Sequence, residues 1–510
     1  MNEAMQNLNG AVQLVLPEVA LLATVCVMFF AAPFLVSDRG EAPAGLRHRW
    51  GWLSLVALAL AGWLWWNSGV APRTTGPFVS DGLTLFVRGL TILSGAILVL
   101  LHWNQADDSR SAESHACLLA ILAGVNLVAA ANDLVMLFVA LELVSIPTYL
   151  FLLLPRRDAP AQEATLKYFL LSIFSSAIVL FGLSYLYGAT GTTNLTAIHH
   201  AFAAGKDLPH NPLVAVATVM LIAGLGFRLT AVPFHFYAPD VFQGAPTSAA
   251  AMLSFVPKVV GFVALLRLMV PATGSESTMH AWMMTPAATP LLWWLAVATM
   301  FVGNLMALMQ TDVRRLLAFS SVSHAGYMLV GLVVGMQASQ TVSGIGALLF
   351  YLAVYGAMTL GAFAVLIAAA RSDKRIESLD DLAGLSRTKP ALALMLSVFL
   401  FSLTGLPPTA GFLGKFNLFV AAWSQGFEWS EGFDSSRWLA CLLGVNAALG
   451  AWYYLKLIGV MYLRDPVDRS EDVRPMEVPS LVAAVLCLAV TVGLFFAPGV
   501  VWTHVQSLVK

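Results

Sequence analysis

Glu142, Arg228, Lys258 and Lys415 each lie well inside a long apolar run of the chain. Carboxylate and ammonium groups take up and release protons, while a guanidinium supplies a fixed positive charge. At bilayer depth such a group costs about 2.5–3.5 kcal/mol or more to insert, so residues kept there face a protein interior and line an ion path. Arg228 stands just before Pro233, and Lys415 follows Pro407-Pro408. Proline has no N–H to donate and clashes with the preceding turn, which leaves helical carbonyls open. Those carbonyls require water, a polar side chain or a neighbouring helix, so a hydrated cavity is expected at both breaks. Buried charge beside broken helix is the pattern of a transporter's midplane site. The chemistry implied is ion movement.

Three further ionisable groups share these surroundings: Lys167, His235 and His324. Glu163 precedes Lys167 by one helical turn, so a helix-surface ion pair competes with a place on the path. His235 sits beside the Pro233 break and His324 within an apolar run, and either imidazole can relay a proton or make a structural hydrogen bond. Arg88 and Arg267 fall near the outer ends of apolar runs and are expected to snorkel to the interface. Asp240 reads as a helix cap or gate.

Other chemistry lacks its signatures. Cys26, Cys117, Cys441 and Cys487 are far apart with no C-x-x-C spacing, which excludes an ordinary iron–sulfur or zinc ligand set. The stretch Gly411 to Lys415 has neither the spacing nor the Ser/Thr of a phosphate loop. No dinucleotide fingerprint and no nucleophile–base arrangement is found, so no redox site, cofactor or metal is expected in this chain. A net charge of -1 argues against nucleic acid as a partner.

The elements that must position these groups are membrane helices. Only 11% of the residues are charged and 59% are hydrophobic, against roughly 25% charged in a soluble domain. Apolar runs of about 18 residues or more give about fourteen spans, near 12–36, 50–68, 80–103, 114–131, 133–154, 161–188, 211–240, 246–270, 288–308, 313–336, 341–370, 390–424, 436–462 and 478–505. The first is too long for a signal-peptide core and reads as a retained span. Spans seven and twelve are too long for one straight crossing and are expected to be broken. Glu142 lies about nine residues into span five, roughly 14 Å deep at the helical rise. Because the two broken spans are an odd number of crossings apart, repeats over 114–270 (spans four to eight) and 288–462 (spans nine to thirteen) would have inverted topology. The expected fold is therefore an all-α polytopic membrane protein, a single transmembrane domain over 1–510. Odd-numbered loops carry sixteen Lys and Arg residues; the other side, with both termini, carries four. That bias places both termini on the non-cytoplasmic side.

Several stretches are recognisable. GLGFRLTAVPFHFYAPDVFQGAPTSAAAMLSFVPKVVG, from Gly224 to Gly261, closely resembles the antiporter-like N-subunit family of proton-pumping NADH:quinone oxidoreductase, respiratory complex I. So do LFVALELVSIPTYLF around Glu142, EATLKYFLLSIFSSA around Lys167, QTDVRRLLAFSSVSHAGYMLVG around His324 and GLPPTAGFLGKFNLF around Lys415. The resemblance covers most of the chain from about Ala131 to Trp423. Pro239 to Thr247, PDVFQGAPT, is similar to the N family rather than to its L and M relatives.

The resemblance implies that Glu142 pairs with the basic residue of span seven, that the pair tunes Lys258, and that Lys415 leads to the outer exit. Where the family usually has lysine in span seven, this chain has Arg228, which is effectively never deprotonated. Arg228 therefore serves as a fixed counter-charge, and the titrating role falls to Lys258 and Lys415. It further implies a translocase subunit of a bacterial inner membrane, beside antiporter-like subunit M and small subunits such as K. NADH, FMN, iron–sulfur clusters and quinone would belong to the rest of the complex. Alternative readings are a subunit of a multi-subunit sodium/proton antiporter, the membrane subunit of an energy-converting hydrogenase, and a structural spacer in a membrane arm.

Overall fold

A computed structural model describes residues 10–37, 42–69, 73–156, 158–204, 208–269, 288–335, 343–370, 376–424, 436–466 and 477–507. Of the loop residues behind the expected orientation, Arg39, Arg157, Lys206, Arg371, Lys374, Arg375, Arg469, Arg474 and Lys510 lie outside the described residues. In chain order the elements are α1 (Leu16–Leu35), α2 (Leu46–Asn67), a short hairpin of β1 (Arg73–Thr75) and β2 (Phe78–Ser80), α3 (Gly82–His102), α4 (Ser111–Ala130), α5 (Leu134–Leu153), α6 (Ala159–Thr190) and α7 (Leu195–Ala204). Then come α8 (Pro212–Leu229), α9 (Ala238–Gly244), α10 (Thr247–Met269), α11 (Ala288–Leu308), α12 (Val313–Gly335) and α13 (Gly344–Ala369). The last are α14 (Leu385–Thr388), α15 (Pro390–Thr404), α16 (Ala410–Trp423), α17 (Ser436–Leu463), α18 (Val478–Phe496) and α19 (Gly499–Ser507).

Local chemistry sets the ends of these helices. Asp81 accepts from the Thr84 amide at the start of α3, and Asp133 accepts from the Val135 and Met136 amides at the start of α5. Such caps satisfy amides that a helix cannot satisfy within itself. At the end of α6, Gly191 takes φ 70°, a left-handed conformation that suits glycine. Among the described residues, 12 helices are long and apolar enough to cross a membrane. The two other expected spans correspond to α2, which carries five tryptophans, and to the interrupted pair α15 and α16.

Residues 1–228 and 256–289 form one compact unit, and residues 229–255 and 290–509 form another; α10 contributes to both. In the first unit α4 is the central post, packed against α1, α2, α3 and α5. Every α4 residue except Glu113 is buried, as expected of a helix that is apolar on all sides. In the second unit α12 packs on α9, α13 and α16, and α13 packs on α15, α16 and α18.

Both expected breaks are present in the backbone. Helix α8 closes at Leu229, Thr230 adopts φ 57°, and helical structure resumes only at Ala238, beyond Pro233. Within this break the Val232 amide donates to Thr299 Oγ1 at 3.1 Å. Helix α15 closes at Thr404 with Gly405 at φ 90°, where the Gly405 and Leu406 amides both return to the Phe401 carbonyl at 3.0 Å. Pro407 and Pro408 follow, and α16 begins at Ala410.

Two sequence expectations need correction. Arg88 and Arg267 do not snorkel; they are 0% and 3% exposed. Arg88 pairs with Glu18 at 2.7 Å, and Arg267 clamps Asp81 through two nitrogens at 2.6 Å each. A guanidinium near a helix end is drawn inward when a carboxylate on a neighbouring helix can take its fork of donors. Sequence depth alone does not reveal that partner.

Candidate functional site

Glu142, Ser145 and Tyr149 recur at i, i+3 and i+7 along α5 and share one face. Facing groups come from Ser172 and Ser176 on α6 and from Arg228 in the last turn of α8. A cation in a last helical turn is favoured by the partial negative charge of the helix C-terminus. Ser176 Oγ donates to Glu142 Oε1 at 2.5 Å, and Arg228 Nη2 lies 3.6 Å from the same oxygen. Arg228 Nη2 also donates to Ser145 Oγ at 2.8 Å, and the Tyr149 hydroxyl donates to Ser172 Oγ at 2.9 Å. At 3.6 Å the guanidinium and carboxylate attract without a direct hydrogen bond. Serine hydroxyls thus take the short contacts on both charged partners. The side chain of Arg228 is 5% exposed and that of Glu142 is 25% exposed.

Lys258 follows Pro257 in α10 and is among the largest fully buried side chains of the chain. Lys167 lies elsewhere on α6, in an i,i+4 pair with Glu163 at 2.7 Å, and its side chain is 40% exposed. Of the two readings of Lys167, the helix-surface pair is the one the contacts display.

Lys415 occupies the second helix of the α15–α16 break and is buried. Its ammonium donates to the carbonyls of Leu403 at 2.8 Å and Thr404 at 2.9 Å. Those are the carbonyls that the ended helix α15 leaves open. From within a regular helix the lysine side chain thus reaches back across the break and supplies a polar partner for both carbonyls. Gly405 makes the approach possible, because a Cβ there would stand 2.9 Å from Lys415 Cδ. The Lys415 ammonium also lies 4.8 Å from the centre of the Tyr327 ring, within cation–π range.

His324 is buried in α12 and bonded at both ring nitrogens, Nδ1 to the Tyr351 hydroxyl at 2.5 Å and Nε2 to the Tyr454 hydroxyl at 3.0 Å. Tyr454 is hydrogen-bonded in turn to Ser320. Nearby, Asn304 Nδ2 donates to the Tyr327 hydroxyl and Tyr453 donates to Asn304 Oδ1, each at 3.0 Å. Tyr327 therefore belongs both to the Lys415 contact and to the Asn304–Tyr453 group. His235 lies in the α8–α9 break, half-buried, with its ring 6.4 Å from Phe319. Asp240, in the first turn of α9, pairs with Arg315 at 2.7 Å and links α9 to the start of α12.

The structure thus brings Glu142 and Arg228 together, sets Lys415 on the Pro407-Pro408 break, and encloses His324 in tyrosines. The serines and tyrosines that complete these sites escaped the sequence reading. The spacing of Ser145 and Tyr149 from Glu142 was a usable signal; the partners on other helices had none.

A family model described as NADH:quinone oxidoreductase/Mrp antiporter, TM, matches residues 131–435. NADH-quinone oxidoreductase subunit N 1 of Solibacter usitatus is 36% identical over 95% of this chain and 94% of its own length. The chain belongs to the N-subunit family of NADH-quinone oxidoreductase. Subunit N of Trichlorobacter lovleyi is 34% identical over 99% of this chain and 97% of its own length. Among solved structures, a chain of respiratory complex I from Thermus thermophilus with bound aureothin superposes with a TM-score of 0.73 at 33% identity, covering 95% of this chain and 98% of that one. A chain of an archaeal membrane-bound sulfane sulfur reductase superposes at 0.79 with 22% identity over 96% and 97% of the two chains, a likeness of fold. The segment matched by the family model contains every candidate of this N-family chain, from Glu142 to Lys415, and the three break prolines.

Proposed function

We propose that this N-family chain is an antiporter-like, proton-translocating subunit of the membrane arm of NADH-quinone oxidoreductase, driven by electron transfer from NADH to quinone in other subunits. The observation that carries the reading is Lys415, an ammonium buried against two open carbonyls at a helix break. A cation so held can stay charged without lipid contact and can change its proton content when the break rearranges. Lys258 and Lys415 carry the titrating role. Glu142 and Arg228 set the local field, because arginine keeps its charge throughout. His324 can pass a proton on, since an imidazole bonded at both nitrogens accepts at one as it releases at the other. Lys167 and His235 are proposed as lesser members of the path.

The same reading gives fourteen crossings, with repeats over 114–270 and 288–462 of inverted topology, and both termini outside a bacterial inner membrane. Its neighbours would include antiporter-like subunit M and small subunits such as K. Redox cofactors would reside in other subunits. Glu142→Gln or Lys258→Ala should lower proton pumping and coupled quinone reduction in membrane vesicles while the amount of assembled complex holds. Normal pumping at normal assembly in both variants would overturn the reading.

A further inference from the structure

Apart from these sites, the first unit buries a second polar group that the translocation reading does not use. Arg88 on α3 donates through Nε and Nη2 to the Glu18 carboxylate of α1 at 2.7 and 3.0 Å, and through Nη2 to the Leu14 carbonyl at 2.7 Å. Arg88 Nη1 is buried with no hydrogen-bond partner among the described residues. The same holds for Thr91 Oγ1 and for both Nδ2 and Oδ1 of Asn126 on α4. Thr91 is 3% exposed and Asn126 is 0% exposed.

Helix geometry brings these atoms to one place. Thr84, Arg88, Thr91 and Gly95 follow one another by four, three and four residues, which is a single stripe along α3. Both ends of that stripe touch α4. Thr84 Oγ1 donates to the Ala129 carbonyl at 3.0 Å, and a Cβ on Gly95 would stand 2.6 Å from Leu122 Cδ1. Leu122, Asn126 and Ala129 form the matching stripe on α4, which runs antiparallel to α3. Between two contacts that hold the antiparallel helices together, Asn126 therefore falls nearly level with Arg88, and Thr91 lies about one turn further along α3. A polar atom sealed from solvent without a partner forfeits its hydrogen bonding.

We propose that α1, α3 and α4 enclose a bound-water site, lined by Arg88 Nη1, Thr91 Oγ1 and the Asn126 carboxamide, that completes the solvation of the Glu18–Arg88 ion pair. The donor set identifies the ligand. Nη1 and Nδ2 donate, Oδ1 accepts, and the hydroxyl does either, so the occupant must both accept and donate. Glu18 and Arg88 offset one another, leaving no net charge to attract an ion. Buried waters in proteins make about three such bonds.

A map of the assembled complex by electron cryo-microscopy, at a resolution that shows ordered water, tests the site. Density should lie within about 3.2 Å of at least two of these three groups, and should weaken or vanish in Asn126→Leu. Absence of density in the parent map, where other buried waters of this chain are visible, would overturn the proposal. So would a direct Thr91–Asn126 hydrogen bond. Thermal unfolding supplies a second readout. Asn126→Leu should lower the melting temperature, because Arg88 loses its water bridge, whereas a rise would mean that a dry, orphaned amide had been removed.

Discussion

At Glu142 a carboxylate, a serine hydroxyl and a guanidinium converge, but the guanidinium stands off at 3.6 Å. The geometry favours a field effect over a tight ion pair, and that distinguishes two substitutions. Arg228→Lys keeps the charge and should retain most pumping, whereas Arg228→Ala should lose much more. Truncating one partner of a fully buried pair costs about 3–5 kcal/mol; the partial exposure of Glu142 puts the stability loss below that. Equal activities would mean that charge here is dispensable. Outside the spans, His199 on α7 is titratable as well. Burial pushes its imidazole down to about 4, although it is hydrogen-bonded to the Arg267 backbone. The unfolded chain, with a pKa near 6.5, binds this proton first. Stability is therefore full above about pH 6.5 and falls by up to about 3 kcal/mol as pH drops towards 4. Melting temperatures of the complex from pH 7 to 5 should fall less steeply in His199→Gln; an unchanged slope would assign the acid sensitivity to other groups.

At the scale of elements, the α15–α16 break is a junction with each part assigned. Gly405 turns the chain, Pro407-Pro408 prevents the helix from continuing, and Lys415 returns to bond the carbonyls that the turn leaves open. Gly405→Ala should be harmful twice over. Left-handed backbone costs an L-residue about 1–2 kcal/mol, and the new Cβ would crowd Lys415 Cδ at 2.9 Å. Reduced pumping with a lowered melting temperature is expected; parental behaviour in both would show that Lys415 needs no such approach. The environment of His324 is likewise a product of three helices, with Tyr351 from α13 and Tyr454 from α17 on its two nitrogens. Tyr454→Phe preserves the ring and deletes one link, so pumping should fall while assembly is unchanged. Full pumping would exclude that hydroxyl from the path.

For the whole molecule, the charge bias of the loops makes a prediction about sidedness. On that bias Ser109, between α3 and α4, is expected on the cytoplasmic side and Gly76, in the β1–β2 turn, on the opposite one. In a background without native cysteines, Ser109→Cys and Gly76→Cys should react with a membrane-impermeant thiol reagent from opposite faces of sealed vesicles. Labelling from one common face would overturn the inferred topology and the inverted repeats with it.

Much of this architecture is local, and so the chain states it openly. Continuous apolar runs must become helices in lipid, since only a helix satisfies its own backbone there. Pro233 and Pro407-Pro408 announce the breaks because the missing amide is a property of the residue itself. Glu142, Arg228, Lys258 and Lys415 were legible for a similar reason, since charge inside an apolar run needs a purpose. What the tertiary structure decided is which groups meet. Nothing within α3 indicates that Arg88 finds Glu18, and nothing near Lys415 shows that its ammonium would reach back to the carbonyls of Leu403 and Thr404. Likewise, the tyrosines around His324 come from α13 and α17, far away in sequence. Depth is set by position in a run, but partnership is set by packing, and packing pairs residues whose separation along the chain carries no signal.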